Sequence, residues 1–479
     1  MRTVRSEWSG KSVSVLGAAR SGIASARALK SMGAIVLLAD SEPLNKLPAQ
    51  RQEEIASLGV KFIECVTPQS LLTEDTSLII TSPGVPRESA LLKETASKGI
   101  KIWSEIELGF HLTNAPIAAV TGTNGKTTTT LLIAAMLAES GVHTVSCGNI
   151  SADSLKKTVV EAAVETGEYS ADQVLAAEIS CFQLEWVEEF APRVGVLCNI
   201  SPDHLDRYSS LQEYAAVKAR LFANQSEEDY AVYNFDCPLS RSIGEALEKP
   251  VRCRFSLHPL QINGREDAAW LENGLLQFQA AGKIAETLML RSDIPLSLPG
   301  AHSVQNVLAA ASASLQMGAS VEGTLRAVQG FRGVPHRMEW VADVKDVHYI
   351  NNSMCTNISA ALNSLQSIEG PVVVIAGGRE KGLDYAPLLP VLIQKARHIV
   401  LIGETALRME GLFKSGGYRS IVIAQTMEEA VHISAKAAYS GDTVILCPAS
   451  SSFGMFSNFE ERGEAFRKSV RLLQEEDKG

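Results

Sequence analysis

Thr121-Gly122-Thr123-Asn124-Gly125-Lys126-Thr127-Thr128-Thr129-Thr130 follows the apolar run Ile117 to Val120 and leads into a helix-forming stretch, Thr127 to Ser140, with Gly141 as its expected C-cap. Apolar strand, glycine-bearing loop and helix is the order in which backbone N–H groups and a helix N-terminus enclose a polyphosphate. In such a loop Lys126 neutralises the outer phosphates and Thr127 offers its hydroxyl to Mg²⁺. The strict pattern GxxxxGK[ST] wants glycine where Val120 stands, so this is a shortened variant with Gly122 three residues before Gly125. Gly122 through Thr128, with Thr123 and Asn124, is therefore the expected nucleotide cradle. The bland alternative is a tight strand-to-helix turn that happens to contain a lysine.

Downstream, Val174 to Ala177 and Val194 to Ile200 read as strands, each followed by polar residues that fall at the carboxyl edge of a parallel sheet, where open α/β sheets bind ligands. The first is followed by Glu178 and the second by Asp203-His204. Mg²⁺ prefers hard oxygen ligands, which makes Glu178 a candidate. Each residue alone fits equally a helix-capping acid or a buried, hydrogen-bonded histidine.

Upstream, Val13 to Leu16, the loop Gly17-Ala18-Ala19-Arg20-Ser21-Gly22, a helical stretch to Lys30 and the strand Ile35 to Ala39 ending on Asp40 form a βαβ unit. Ala19 stands where a dinucleotide fingerprint has glycine, which weakens a nicotinamide-binding interpretation. Beyond Gly333 the pattern restarts with strands at Val372 to Ala376, Ile399 to Ile402, Ile421 to Ala424 and Val444 to Cys447. Strands alternating with helices throughout predict an α/β fold. At about 150 residues per domain, 479 residues suggest three domains. We expect residues 1–113 to form a Rossmann-like domain, 114–333 a central P-loop-type mononucleotide-binding α/β domain, and 334–479 a second Rossmann-like domain.

Composition is that of a globular protein, with 46% hydrophobic and 20% charged residues. A net charge of -10 argues against nucleic acid as a partner. The N-terminal residues lack a secretion-signal core and no apolar run approaches the length of a membrane span, so a cytoplasmic, monomeric protein is expected. The eight cysteines show neither CxxC pairs nor zinc-like spacing and read as reduced, mostly buried thiols.

Taken together, TGTNGKTTT, Glu178-Ile179-Ser180, Asp203-His204-Leu205-Asp206-Arg207 and Gly333-Val334-Pro335-His336-Arg337 resemble the Mur ligases of bacterial peptidoglycan synthesis. The stretch from Cys447 to Phe453 and Asn458-Phe459-Glu460-Glu461-Arg462-Gly463 narrows the resemblance to members that add D-glutamate. It implies ATP-dependent amide-bond formation between the carboxylate of UDP-MurNAc-L-alanine and an acidic amino acid, through an acyl phosphate, with two Mg²⁺ ions. It further implies that Thr127 and Glu178 hold one metal and His204 the other, and that Lys126, Glu178, His204 and Lys218 are catalytic. On residue type alone Lys218, in a helix opened by an expected capping box from Ser210 to Glu213, is a solvated lysine. The resemblance makes it a carbamylated lysine whose carbamate is a metal ligand.

By the same resemblance Asn306 contacts adenine, Arg337 reaches ATP from the third domain, and Asn352 stands at a ribose contact. Arg20, Ser21, Asp40, Ser41, Ser82 and Gly84 fall where the uridine part is held, and Asn149 and Ser180 where the UDP-sugar substrate lies. Thr356, Lys381, Ser452 and Phe459 match the amino-acid site. The chain departs from the family at Asn352-Ser353-Met354-Cys355-Thr356-Asn357, where Asp-Ser-Lys-Ala-Thr-Asn is usual. The missing acid and lysine leave open a different acceptor, such as L-glutamate, or a non-catalytic nucleotide-binding paralogue. A nicotinamide oxidoreductase would leave Lys126 and its loop without a role.

Overall fold

Short runs of Val, Ile, Leu and Ala flanked by glycine are what strands buried on both faces require. In the computed structural model such runs build three sheets from the described residues: 5–72, 75–150, 157–167, 173–204, 207–262, 266–295, 297–298, 300–380 and 382–476. The first is parallel and holds β1 (Ser12–Leu16), β2 (Ile35–Ala39), β3 (Lys61–Ile63), β4 (Thr76–Thr81) and β5 (Lys101–Ser104) in the order β3-β2-β1-β4-β5. The winding direction reverses between β1 and β4, so the loops after these two strands lie side by side. Gly17 there adopts φ +98°, and a Cβ on it would stand 2.6 Å from the Ser82 hydroxyl oxygen.

The second sheet holds β6 (Ile117–Thr121), β7 (His143–Gly148), β8 (Gln173–Glu178), β9 (Val194–Leu197), β10 (Tyr230–Asn234), β11 (Val251–Ser256), β12 (Asp267–Glu272), β13 (Leu275–Gln279) and β14 (Glu286–Leu290). Its order is β14-β13-β12-β11-β10-β9-β6-β8-β7, parallel except for the antiparallel meander from β12 to β14. The fully buried β6 lies between β8 and β9, so whatever follows it emerges flanked by the ends of those two strands. The helix Lys126–Glu139 follows, ending at Ser140 with Gly141 next at φ +81°, one residue beyond its expected place. Two other boundaries move. Glu178 is the last residue of β8 rather than the first beyond it, and β9 ends at Leu197, which frees Cys198 and Asn199 to meet the phosphate loop.

The first two sheets belong to one compact unit, residues 1–293 with 304–329. Val160 and Ala163 of the helix Val159–Thr166 sit in the same apolar cluster as Val13, Val15 and Leu38 of the first sheet. Trp103 Nε1 donates to Glu188 at 2.7 Å. The second unit, 294–303 with 330–479, holds the third sheet. Its strands are β15 (Glu339–Val344), β16 (Val347–Asn351), β17 (Val372–Gly377), β18 (Ala396–Ile402), β19 (Ile421–Ile423) and β20 (Thr443–Leu446), ordered β15-β16-β20-β17-β18-β19. Only the β15–β16 pair is antiparallel. Among the described residues no helix is long and apolar enough to cross a membrane.

Candidate active site

The loop after β6 is held from both sides. Asn199, just past β9, accepts from Thr123 N–H through its carbonyl (2.9 Å) and from Asn124 N–H through Oδ1 (2.9 Å), and its Nδ2 donates back to the Asn124 carbonyl (3.1 Å). Thr123 and Ser201 exchange a further pair of bonds at 3.0 and 3.2 Å. Both loop glycines are required. Gly122 has φ +154° and its Cβ would come within 2.9 Å of Cys198 Cβ; Gly125 has φ +84° and its Cβ would stand 2.3 Å from Asn306 Oδ1. Sequence reasoning passed over Asn199.

Three groups then converge on this loop. Thr127 Oγ1 donates to Glu178 Oε2 at 2.6 Å, and Asn149 Nδ2 donates to Glu178 Oε1 at 3.2 Å. Glu178 is 3% exposed, so these bonds offset the loss of water around its carboxylate. Lys126 Nζ donates to the carbonyls of Gly122 (3.0 Å) and Thr123 (2.9 Å). Lys218 Nζ donates to the same Gly122 carbonyl at 2.9 Å and lies 4.5 Å from the centre of the Tyr214 ring.

Lys218 overturns the solvated-lysine expectation, being 1% exposed. Its helix, Leu211–Ala219, turns Tyr214, Ala215, Val217 and Lys218 inward, and burial presses the lysine pKa down to about 8, with the Lys126 charge acting in the same direction. The capping box is half formed. Ser210 accepts from Glu213 N–H, but the Glu213 carboxylate turns to Ser209 N–H and hydroxyl instead of reaching back to Ser210.

His204, at φ +53° and with its side chain 41% exposed, lies beyond β9 with its ring 4.8 Å from Phe182 and 6.3 Å from Tyr214. Its Nε2 is 3.5 Å from Asp203 Oδ2. Leu205 and Asp206 lie outside the described residues. Arg207 stacks on the same Phe182 ring, 4.3 Å from its centre, pairs with both oxygens of Glu185, and donates to the carbonyls of Pro83 (3.1 Å) and Val85 (3.0 Å) beside Ser82 and Gly84. Glu185 is buried and accepts also from the Tyr208 hydroxyl (2.7 Å). Arg207→Ala strands that carboxylate with one donor, so the first unit is expected to lose about 3 kcal/mol of stability. Urea unfolding followed by the fluorescence of Trp103 and Trp186 checks this, and a change under 1 kcal/mol would contradict it.

The expected uridine residues line the switch point of the first sheet. Asp40 Oδ2 accepts from Ala18 N–H (2.6 Å), ordering the loop before Arg20. Arg20 donates to the carbonyls of Gly148 (3.1 Å) and Ile150 (3.2 Å), bracketing Asn149. Contacts thus run from Arg20 through Asn149 to Glu178 and Thr127. Ser41 and Gly84 are exposed and Ser21 half-buried. Ser180 caps the short helix Cys181–Leu184, its hydroxyl engaged with Gln183. Asn306 Oδ1 accepts from Thr129 Oγ1 at 3.4 Å, and Thr128 is half-buried.

In the second unit, Thr356 and Ser452 follow β16 and β20, adjacent parallel strands, at one sheet edge. Lys381 lies outside the described residues. Asn352 is committed internally, accepting from Met338 N–H (3.2 Å) and donating to Ser364 Oγ (2.9 Å). Arg337 is exposed, and the Phe459 carbonyl accepts from Ser353 Oγ (2.7 Å). Arg462 belongs to the C-terminal motif Asn458-Phe459-Glu460-Glu461-Arg462-Gly463. It is fully buried, binds the Ser353 and Ser450 carbonyls at 2.8 and 3.0 Å, and burial lowers its pKa to about 10.

No cluster of three or more His, Cys, Asp or Glu side chains able to hold a metal occurs among the described residues. This donor set fits Mg²⁺, which is bound through one or two carboxylates together with phosphates and water.

A strand–loop–helix cradle with a lysine, a hydroxyl and a buried carboxylate, within the parallel part of a sheet, defines a nucleoside-triphosphate-using enzyme of the P-loop type. Residues 120–314 match the Mur ligase middle domain and 336–450 the Mur ligase glutamate ligase domain. The chain belongs to the Mur ligase family and is an ATP-dependent, ADP-forming ligase. It is 40% identical to a UDP-N-acetylmuramoylalanine--D-glutamate ligase of Pelotomaculum thermopropionicum, over 97% of this chain and 98% of the relative. A ligase of the same name from Geobacter metallireducens is 37% identical over 98% of each. Two solved structures share the fold: MurF from Acinetobacter baumannii (TM-score 0.55, 16% identity, 99% of this chain and 93% of that one) and the UDP-N-acetylmuramate-alanine ligase MurC from Thermotoga maritima (0.54, 18%, 96% and 99%).

Proposed function

We propose that this ligase joins D-glutamate to the carboxylate of UDP-MurNAc-L-alanine in peptidoglycan precursor synthesis. The supporting observation is full-length identity of 40% to a ligase of that name, in a chain whose loop 121–127 gathers Lys126, Thr127, Glu178 and Lys218. A carboxylate accepts an amine only after one oxygen becomes a phosphate leaving group, so the γ-phosphoryl group of ATP passes first to the substrate carboxylate and the amine then displaces phosphate. Residues 122–128 bind the polyphosphate through backbone N–H groups, and Lys126 screens its charge. Arg20, through its bonds to Gly148 and Ile150, and Asn149, through its bond to Glu178, orient the UDP-linked substrate, while Thr356, Lys381, Ser452 and Phe459 receive the amino acid, Asn306 and Arg337 serving the nucleotide. The division into domains at 113 and 333, a cytoplasmic location and a monomeric state belong to the same proposal.

Two Mg²⁺ ions, held by Thr127 with Glu178 and by His204 with the Lys218 carbamate, would supply positive charge to the transferring phosphoryl group. Lys218 suits carbamylation for a physical reason. Only the neutral amine attacks CO₂, and a buried ammonium is costly, whereas its carbamate would stand near the Lys126 cation. With a pKa of about 8 the neutral fraction is roughly a tenth at pH 7 and roughly nine tenths at pH 9. Protein stripped of CO₂ should therefore regain activity several-fold faster at pH 9 than at pH 7 for equal dissolved CO₂. Equal rates would exclude the free amine as the reacting form.

The deciding experiment supplies ATP, Mg²⁺ and UDP-MurNAc-L-alanine and screens D- and L-amino acids for phosphate release. D-Glutamate is expected to give the highest turnover. Preference for L-glutamate would point to Met354 and Asn352, and no amino-acid-dependent phosphate at all would leave a nucleotide-binding paralogue.

A further inference from the structure

Of the eight free cysteines, two meet where the second unit changes from strand to loop. Strands β16 and β20 are parallel neighbours, with Asn351 opposite Leu446. Asn352 N–H donates to the Leu446 carbonyl (3.0 Å), and Cys355 N–H to the Asn352 carbonyl (2.9 Å), so the turn folds Cys355 back over Cys447. The Cys447 thiol donates to Cys355 Sγ across 3.7 Å, and both residues are buried.

Their surroundings are unequal. The Cys447 S–H, the Ala449 backbone and the Arg462 guanidinium favour the thiolate of Cys355 and hold its pKa below the usual thiol range. Cys447, donating to Cys355 and enclosed in the core, is held well above it. Cys355, whose thiol also reaches the Asn357 carbonyl (3.8 Å), is the more readily ionised of the two and Cys447 the less, which assigns them the parts of attacking and resolving thiol. Neither is used in the ligase chemistry proposed above.

We propose that Cys355 and Cys447 form a reversible oxidative modification site, which a peroxide closes into a disulfide that ties the 352–357 segment to the 447–452 segment. The Cys355 thiolate attacks the O–O bond, giving a sulfenic acid, with the second oxygen leaving as water after protonation. The Cys447 thiol then displaces the sulfenyl oxygen as a second water, so two thiols and one peroxide give one disulfide and two waters. The sulfurs must close from 3.7 Å to about 2.05 Å, drawing together the loops that carry Thr356 and Ser452. The kinetic consequence rests on the function proposed above, in which these loops receive the amino acid.

The test uses the reduced full-length protein, exposed to hydrogen peroxide, alkylated, digested and mapped by mass spectrometry. A Cys355–Cys447 peptide two hydrogens lighter than the dithiol pair, lost on treatment with dithiothreitol, is expected. With whichever amino acid supports phosphate release, the apparent KM for that amino acid should rise by about tenfold while the KM for ATP stays constant. Cys355→Ala and, independently, Cys447→Ala should retain turnover and show no peroxide effect. Absence of the cross-linked peptide overturns the proposal, as does cross-linking to a different cysteine or equal inhibition of the alanine variants. The peptide map needs no substrate, so failure of D-glutamate as acceptor would refute the function and leave this site to be judged by mass alone.

Discussion

Lys218→Ala is expected to lower amino-acid-dependent phosphate release by about 10²–10³-fold, the scale of losing one preorganised charge-stabilising group. Acetate or propionate should restore part of the activity. The side chain is 1% exposed, so its removal leaves a cavity next to the Gly122 carbonyl and the Tyr214 ring into which a small carboxylate can pass. Rescue separates two roles. A lysine that merely buttresses the phosphate loop by donating to Gly122 would leave a variant that carboxylic acids do not help. A lysine that carries a carbamate leaves a site whose missing element is a carboxylate. Unchanged activity would refute both and return Lys218 to an inert buried position.

Glu178→Gln should have a comparable or larger effect, about 10³-fold in kcat, with the fold intact. Glutamine keeps the volume and an oxygen that accepts from Thr127 Oγ1, so the bond now at 2.6 Å survives. What disappears is the negative charge, which a hard divalent cation needs most. Burial of a neutral amide is also less costly than that of a carboxylate at 3% exposure, so thermal stability should be unchanged or slightly higher. The Mg²⁺ concentration for half-maximal turnover should rise. A variant that keeps more than a tenth of wild-type turnover would remove Glu178 from the metal site.

Much of this arrangement was legible along the chain because it is local. Strand, Gly122, Gly125, Lys126 and Thr127 lie in the one stretch 117–127, and the φ angles of +154° and +84° at the glycines answer a demand that only glycine meets without strain. The same holds for Gly17 at φ +98°, in the loop after β1, and for Glu178, which ends an apolar run. Long-range pairing was not legible. Asn199 clamps Thr123 and Asn124 from about 75 positions away only because β9 is the neighbour of β6, and nothing in the Asn199 surroundings announces that adjacency. Arg207, an ordinary cation in sequence, becomes a tie to Pro83 and Val85 once the first two sheets share a unit. Cys355 and Cys447 are 92 positions apart and show no spacing that links them.

Lys218 shows the division most clearly. Sequence by itself determined that an α/β chain carries a phosphate loop at 121–127 and acidic or imidazole groups after the next strands, because hydrophobic period, glycine placement and residue chemistry act over a few neighbouring positions. Only the tertiary structure decided that a lysine in a helix of mixed polarity turns inward to the Gly122 carbonyl. That outcome depends on which face of Leu211–Ala219 meets the phosphate loop and the rest of the core, and burial there lowers the lysine pKa to about 8 through lost hydration, a property of the assembled surroundings rather than of the residue.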